Sequence, residues 1–129
     1  MGKFTPSRSN VNDLEINGTT TYTQGPDLTV TNGTVTVTHT YHRLQSQGGV
    51  AADDLNRIEG AEAADVGQIL ILAKKPGSGA VNVIDNVDGD SSGANIIVPA
   101  NRELGNDKDT IILVWHGSRW LELSFANNG

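Results

Sequence analysis

The 129-residue chain has no cysteine, few aromatic residues (5%), and only nine Lys and Arg against fifteen Asp and Glu. Without cysteine there is neither a disulfide framework nor a thiolate metal site, so stability has to come from packing or assembly. The formal charge of -6 repels a phosphate backbone, and Lys74-Lys75 is the single adjacent basic pair, which argues against nucleic acid as a partner. Long apolar runs are missing as well. Nothing approaches the roughly 20 residues of a membrane-spanning helix, and Met1 to Asn17 lacks the apolar core of a signal peptide. The chain is expected to be soluble where it is made, with no membrane partner.

What is plentiful is Gly, with 15 residues, together with Thr, Asn and Ser, a composition of strands and turns. The length fits one β domain with one modest core. Residues 1–25 scatter Phe4, Val11, Leu14 and Ile16 among polar residues. Four anchors do not offset the entropy of ordering such a segment, so it reads as an N-terminal arm or linker ahead of a β domain over 26–129. A first edge strand around Leu14–Ile16 is the alternative.

"LTVTNGTVTVTHTYH" (28–42) centres on Asn32-Gly33, whose tolerance of positive φ predicts a two-residue hairpin turn. The register would pair Thr31 with Thr34, Val30 with Val35, Thr29 with Thr36 and Leu28 with Val37. Leu28, Val30, Val35 and Val37 then share a buried face, extended by His39 and Tyr41. Thr29, Thr31, Thr34, Thr36, Thr38 and Thr40 share the other, which reads as a solvated face because Thr suits exposed strands. "AADDLNRIEG" (51–60) offers Asp53 as an N-cap, Leu55 and Ile58 at helical spacing and Gly60 as a stop, which predicts one short helix.

"GQILILAKK" (67–75) is apolar on both faces, the pattern of a central strand. "AVNVIDNV" (80–87) and "ANIIVPA" (94–100) predict two short strands around a loop at 88–93, with Pro99 at a strand end. "ELGNDKD" (103–109) reads as a polar loop. The terminal stretches "DTIILVW" and "RWLELSF" flank a hairpin turn that sets Trp115 opposite Trp120. Ile112, Val114, Leu121, Leu123 and Phe125 fall on one face, and Ile111, Leu113, Trp115, Trp120, Glu122 and Ser124 on the other. A chain of this size cannot cover both faces with its own core. A subunit interface is implied, with Ile111, Leu113, Trp115, Trp120, His39 and Tyr41 as candidates.

Little points to chemistry. His39 and His42 face opposite sides of a strand and cannot share a metal, and His116 stands apart. Asp85, Asp88 and Asp90 offer oxygen donors but miss the spacing of a calcium loop. There is no nucleophile elbow, phosphate loop or zinc-protease helix, and adjacent Asp53 and Asp54 lack the opposed geometry of a glycosidase. No enzymatic activity, metal or cofactor is expected. The tryptophan pair suits either a buried position or a platform for a sugar ring.

Taken together, "VTVTHTYHRLQSQGGVAADDLNRIEGAEAADVGQILIL", the loop with "DNVDG" and the ending "LGNDKDTIILVWHGSRWLELSFANNG" resemble a module found at the C-termini of tailed-bacteriophage virion proteins, in fibres and in head-surface proteins. The resemblance covers about residues 28–129 and carries no catalytic residues. With the strand pattern, it implies an all-β fold, an antiparallel β-sandwich or jelly-roll-like barrel with one short helix, assembled as a homotrimer on the outer surface of the virion. Here the module makes up nearly the whole chain behind a short arm. That implies a capsid decoration (cement) protein bound to the major capsid protein, with Phe4, Val11, Leu14 and Ile16 as capsid contacts. A short tail-fibre or head-fibre tip that binds host surface glycan is the alternative.

Overall fold

The structure is a computed structural model that describes residues 15–86 and 93–129. Its strands are β1 (Leu28–Thr29), β2 (Thr34–Thr36), β3 (Tyr41–Gln45), β4 (Ala52–Leu55), β5 (Arg57–Glu59), β6 (Ile69–Lys74), β7 (Ala80–Val83), β8 (Ile96–Ile97), β9 (Arg102–Leu104), β10 (Thr110–Trp115) and β11 (Trp120–Ala126). Two short 3-10 turns, Gln47–Gly49 and Ala63–Asp65, are the helical pieces among the described residues. The main sheet has six strands in the order β1-β3-β6-β10-β11-β8; a second holds β2-β5 and a third β4-β7-β9. The fold is all-β. Its main sheet is open and curled, with β1 and β8 as free edges, so it does not close into a jelly-roll barrel.

Between residues 34 and 83 the chain winds twice through the sheets. β2, β3 and β4 visit the second, main and third sheets in turn, and β5, β6 and β7 repeat the order. Each strand of the second winding lies parallel to its counterpart: Val35 beside Ile58, Tyr41 beside Ile71, Asp54 beside Asn82. Parallel neighbours need a long crossover, which here is the passage through the other two sheets and not a helix. β9 and the β10–β11 hairpin then close the coil antiparallel to β7 and β6. Among the described residues five of the eight strand pairings are parallel, which corrects the expectation of an antiparallel sandwich.

The Asn32-Gly33 turn forms, with φ of 51° and 78°, and Thr31 and Thr34 exchange backbone bonds of 3.0 and 3.1 Å. Pairing stops there. Leu28 lies beside Leu44 of β3 and Val35 beside Ile58 of β5, so the expected Val30/Val35, Thr29/Thr36 and Leu28/Val37 pairs do not form. The turn is a corner between two sheets, and that geometry lets Val30, Val35 and Val37 all reach the core. The chain breaks again at 38–40 and restarts out of phase. His39 is therefore exposed and Tyr41 half-buried, and His42 enters the core in their place.

The helix expected from Asp53 to Gly60 is replaced by β4 and β5. Both Asn56 and Arg57 donate their N–H groups to the Gly33 carbonyl, at 2.8 and 3.0 Å, and the chain turns between sheets there. The corner points Leu55 and Ile58 inward although they are three residues apart. A helix would produce the same spacing. Gly60, at φ 110°, passes so close to Val37 that a Cβ there would run into the Val37 carbonyl oxygen.

β6 lies between β3 and β10, as its apolar run predicts. Trp115 pairs with Trp120 across the terminal hairpin. A bulge sits at Leu123, because Leu113 faces Glu122 while Ile112 faces Ser124. The extra residue shifts the alternation, so Phe125 comes opposite Ile111 and packs against the core instead of joining Ile112 and Val114. One core cluster joins all three sheets, from Val30 and Leu44 to Leu72, Val81, Leu104 and Trp120.

Candidate binding surfaces

The histidines are committed to structure or lie alone. His42 is fully buried, and its Nδ1 lies 2.8 Å from the Pro26 carbonyl oxygen. A carbonyl only accepts, so Nδ1 carries the proton. Nε2 then accepts the N–H groups of Thr38 and His39, each at 3.0 Å. Both ring nitrogens are used, which leaves no lone pair for a metal. His42→Leu is expected to cost roughly 3 kcal/mol in urea unfolding, since two N–H groups and a carbonyl lose their partner. A loss below about 1 kcal/mol would mean that water replaces the ring's bonds.

His39 sits on the surface with Nδ1 2.8 Å from the Thr38 hydroxyl, and His116 lies exposed at the terminal turn. Asp85 accepts the Val98 N–H through Oδ1 at 3.2 Å. Its expected companions Asp88 and Asp90 lie outside the described residues. Among the described residues no three His, Asp or Glu side chains converge as metal ligands, and no helix is long and apolar enough to cross a membrane.

Of the interface candidates, Ile111, Leu113, Trp115 and Trp120 belong to the core of the chain itself. The indole N–H of Trp115 donates to the Glu62 carbonyl at 2.8 Å and that of Trp120 to the Ile58 carbonyl at 3.3 Å. Their rings meet at 5.2 Å and 53°, buried, so they form no sugar platform. Of the capsid-contact candidates, Phe4, Val11 and Leu14 lie outside the described residues, and Ile16 is 53% exposed. Tyr22 in the same segment is 52% exposed. A lone aromatic in "TTTYTQG" has no periodic neighbour, so no sequence pattern marks Tyr22 as an anchor.

The outward faces of the three sheets differ in character. The second sheet presents Thr34, Thr36, Arg57 and Glu59, with Arg57 and Glu59 paired at 2.9 Å. The third presents Asp54, Asn82 and Glu103, with Asn82 bonded to Asp54 at 3.0 Å. These are ordinary solvated faces, and the threonine row contributes to one of them. The main sheet presents a different surface. Tyr41, Ile71, Ile112 and Ser124 stand side by side in one row, and Ile69, Val114, Leu121 and Ile97 in the next. The bulge adds Leu123, 59% exposed.

An apolar groove of about 450 Å³ adjoins this face beside β8, lined by Ile97, Val98, Pro99 and Leu121 with Asp85 and Glu122 at its margin. Arg102 holds Glu122 through two bonds of 2.7 and 2.9 Å, and its guanidinium lies 5.0 Å from the Phe125 ring centre. Glu122 is therefore paired, whereas Asp85 is bonded through Oδ1 to a backbone N–H.

A separate cleft of about 490 Å³ lies between β5 and the terminal turn, lined in part by Arg57, Glu59, Asn95, Ser118 and Arg119. Arg57 Nη1 bonds the Gly93 carbonyl, and Arg119 Nη1 bonds that of Asn86 at 3.3 Å. The Asn95 amide accepts from the Ile58 N–H at 2.9 Å and donates to its carbonyl at 2.7 Å, as a neighbouring strand would. The remaining guanidinium donors can meet hydroxyls or carboxylates, and no nucleophile with an adjacent base stands among the cleft residues. No family model, curated protein or solved structure matches the chain.

Proposed function

We propose that the chain is a capsid decoration, or cement, protein of a tailed bacteriophage. It sits as a homotrimer on the outer surface of the head, grips the major capsid protein with its N-terminal segment and stabilises the shell. The observation that carries this reading is the division of the chain. Among the described residues, a domain whose buried side-chain polar atoms all have partners follows a segment that holds Ile16 and Tyr22 out at more than half exposure. Isolated apolar anchors on a tether suit insertion between subunits of a larger shell. Many such contacts acting together give avidity that one tether lacks. The role requires neither a catalytic group nor a cofactor, and the reading assigns none.

Deleting residues 1–20 is expected to abolish binding to heads stripped of the protein while leaving the near-ultraviolet circular dichroism of the domain intact. Unchanged occupancy of the heads would rule out the arm's role. A second reading, a fibre tip that binds host glycan, is favoured by the arginine-lined cleft at Arg57 and Arg119. Quantifying the protein on purified particles separates the two: a decoration protein is abundant on the head, whereas a fibre tip is scarce and binds cells.

A further inference from the structure

Among the described residues the outward face of the main sheet has no partner, and its chemistry narrows what can cover it. From the geometry we infer that a second copy of this chain docks there, with Leu123 of one copy seated in the groove between Ile97, Pro99 and Leu121 of the next. This deepens the homotrimer part of the reading above by naming the contact surface. It stands on residues of the β domain and owes nothing to capsid binding.

Three observations select a copy over a partner of other chemistry. The first is charge. The chain carries -6, yet the two rows of this face consist of Tyr41, Ile71, Ile112 and Ser124 and of Ile69, Val114, Leu121 and Ile97, none of them charged. Of the acids at the groove margin, Glu122 is paired with Arg102, and Asp85 accepts the Val98 N–H through one oxygen. Among the described residues Asp85 is the one carboxylate at the groove margin without a cationic partner, and two acidic copies meet with least repulsion where the rows themselves hold no charged side chain.

The second is shape. The bulge projects Leu123 from a face that carries, two residues away at Leu121, one wall of an apolar groove. Knob and hole on one surface are self-complementary across a twofold axis, and they also close a ring when each knob enters the next hole.

The third is area. Each row crosses four strands at about 4.8 Å and the two rows extend about 14 Å, which gives roughly 270 Å² of projected face per copy. Two copies, with Leu123, the groove and the rim, bury on the order of 1,000 Å², the lower end of specific interfaces. The association expected is therefore micromolar.

Sedimentation velocity on the full chain, from about 1 to about 200 μM, reads this out directly. The wild type is expected to move from 13.6 kDa towards twice or three times that mass. Leu123→Asp is expected to weaken association at least tenfold, while Val66→Asp, at an exposed apolar residue elsewhere, leaves it unchanged. Tryptophan fluorescence checks folding, and Leu123→Ser takes the place of Leu123→Asp if the latter does not fold. A wild type that stays monomeric at the highest concentration overturns the inference, as does a folded Leu123 variant that associates like the wild type. In the first case the face belongs to another chain. A dimer mass keeps the contact surface and removes the trimer from the proposed function. Self-association without binding to heads keeps the surface and removes the capsid role.

Discussion

Trp120→Ala is expected to lower the unfolding free energy by about 4 kcal/mol, near the middle of the range for removing a buried aromatic side chain. Trp120 is fully buried and stands where several parts of the fold meet. Its main-chain N–H donates to Asn95 at 2.7 Å, its indole N–H reaches the Ile58 carbonyl, its ring packs on Trp115, and its strand lies against Ile96. Removing the ring opens a cavity among β5, β8, β10 and β11, and none of these strands can collapse into it without breaking its own ladder. Domains of this kind are held by about 5–15 kcal/mol in total, so the loss takes a large share of the stability.

The measurement is urea unfolding followed by far-ultraviolet circular dichroism. A lower midpoint at an unchanged slope is the expected result, because the denatured state exposes nearly the same surface. The outcome also bears on function. A loss below about 1.5 kcal/mol would place the indole at a wet surface, where it could stack on a sugar, and would restore the platform reading of the tryptophan pair.

The terminal hairpin was legible in the sequence because it is a local feature. The Trp115/Trp120 register follows from the loop between them, and the apolar doubling of both faces is plain in "TIILVW". β6 was legible for a similar reason, since Ile69 to Leu72 are apolar without alternation. What could not be read was where strands change sheet. The Asn32-Gly33 turn was identified correctly, but a turn residue fixes only its own dihedrals. Whether Leu28 continues against Val37 or leaves for Leu44 depends on residues sixteen positions away.

Leu55 and Ile58 show the same limit from the other side. A corner at Asn56 imitates helical spacing, and only the Gly33 carbonyl that accepts both following N–H groups distinguishes the two. Likewise, nothing local marks Leu123 as a bulge. The candidate surface was half visible: an uncovered apolar face was expected, but the residues assigned to it were partly those of the opposite, buried face.

Asp109→Ala is expected to cost about 3 kcal/mol at neutral pH and to flatten the acid limb of the stability curve. The sequence marks this residue only as the end of a polar loop, yet its carboxylate organises that loop. Oδ2 accepts the N–H groups of Gly105 and Asn106 at 2.9 and 3.1 Å; Oδ1 accepts the Asn106 side-chain amide and the Asn128 N–H, both at 2.8 Å. Asn128 in turn donates to the Lys108 carbonyl at 2.8 Å, so the C-terminal segment is tied to the entry of β10.

Buried Lys74 adds a further tie, reaching Asp107 and the Ser78 carbonyl, both at 2.8 Å. Burial acts to raise the pKa of Asp109, but the bonds from Asn128, Asn106 and Gly105 outweigh it and hold the carboxyl below its ordinary value. Folding therefore favours the ionised form. The resulting stability is fully present above the unfolded-state value of about 3.9, and it is lost as pH falls through the lower folded value. Asp27 follows the same direction: burial acts to raise its pKa, but the bonds and charges of Arg43 and Lys75 together outweigh it. The wild type thus loses stability in acid from at least two sites. Urea midpoints measured from neutral pH down to about pH 2 should fall less steeply in Asp109→Ala than in the wild type. An equal slope would mean that the Asp109 carboxyl binds its proton equally well in the folded and unfolded chains, and the loop would then owe its shape to Lys74 and Asp107.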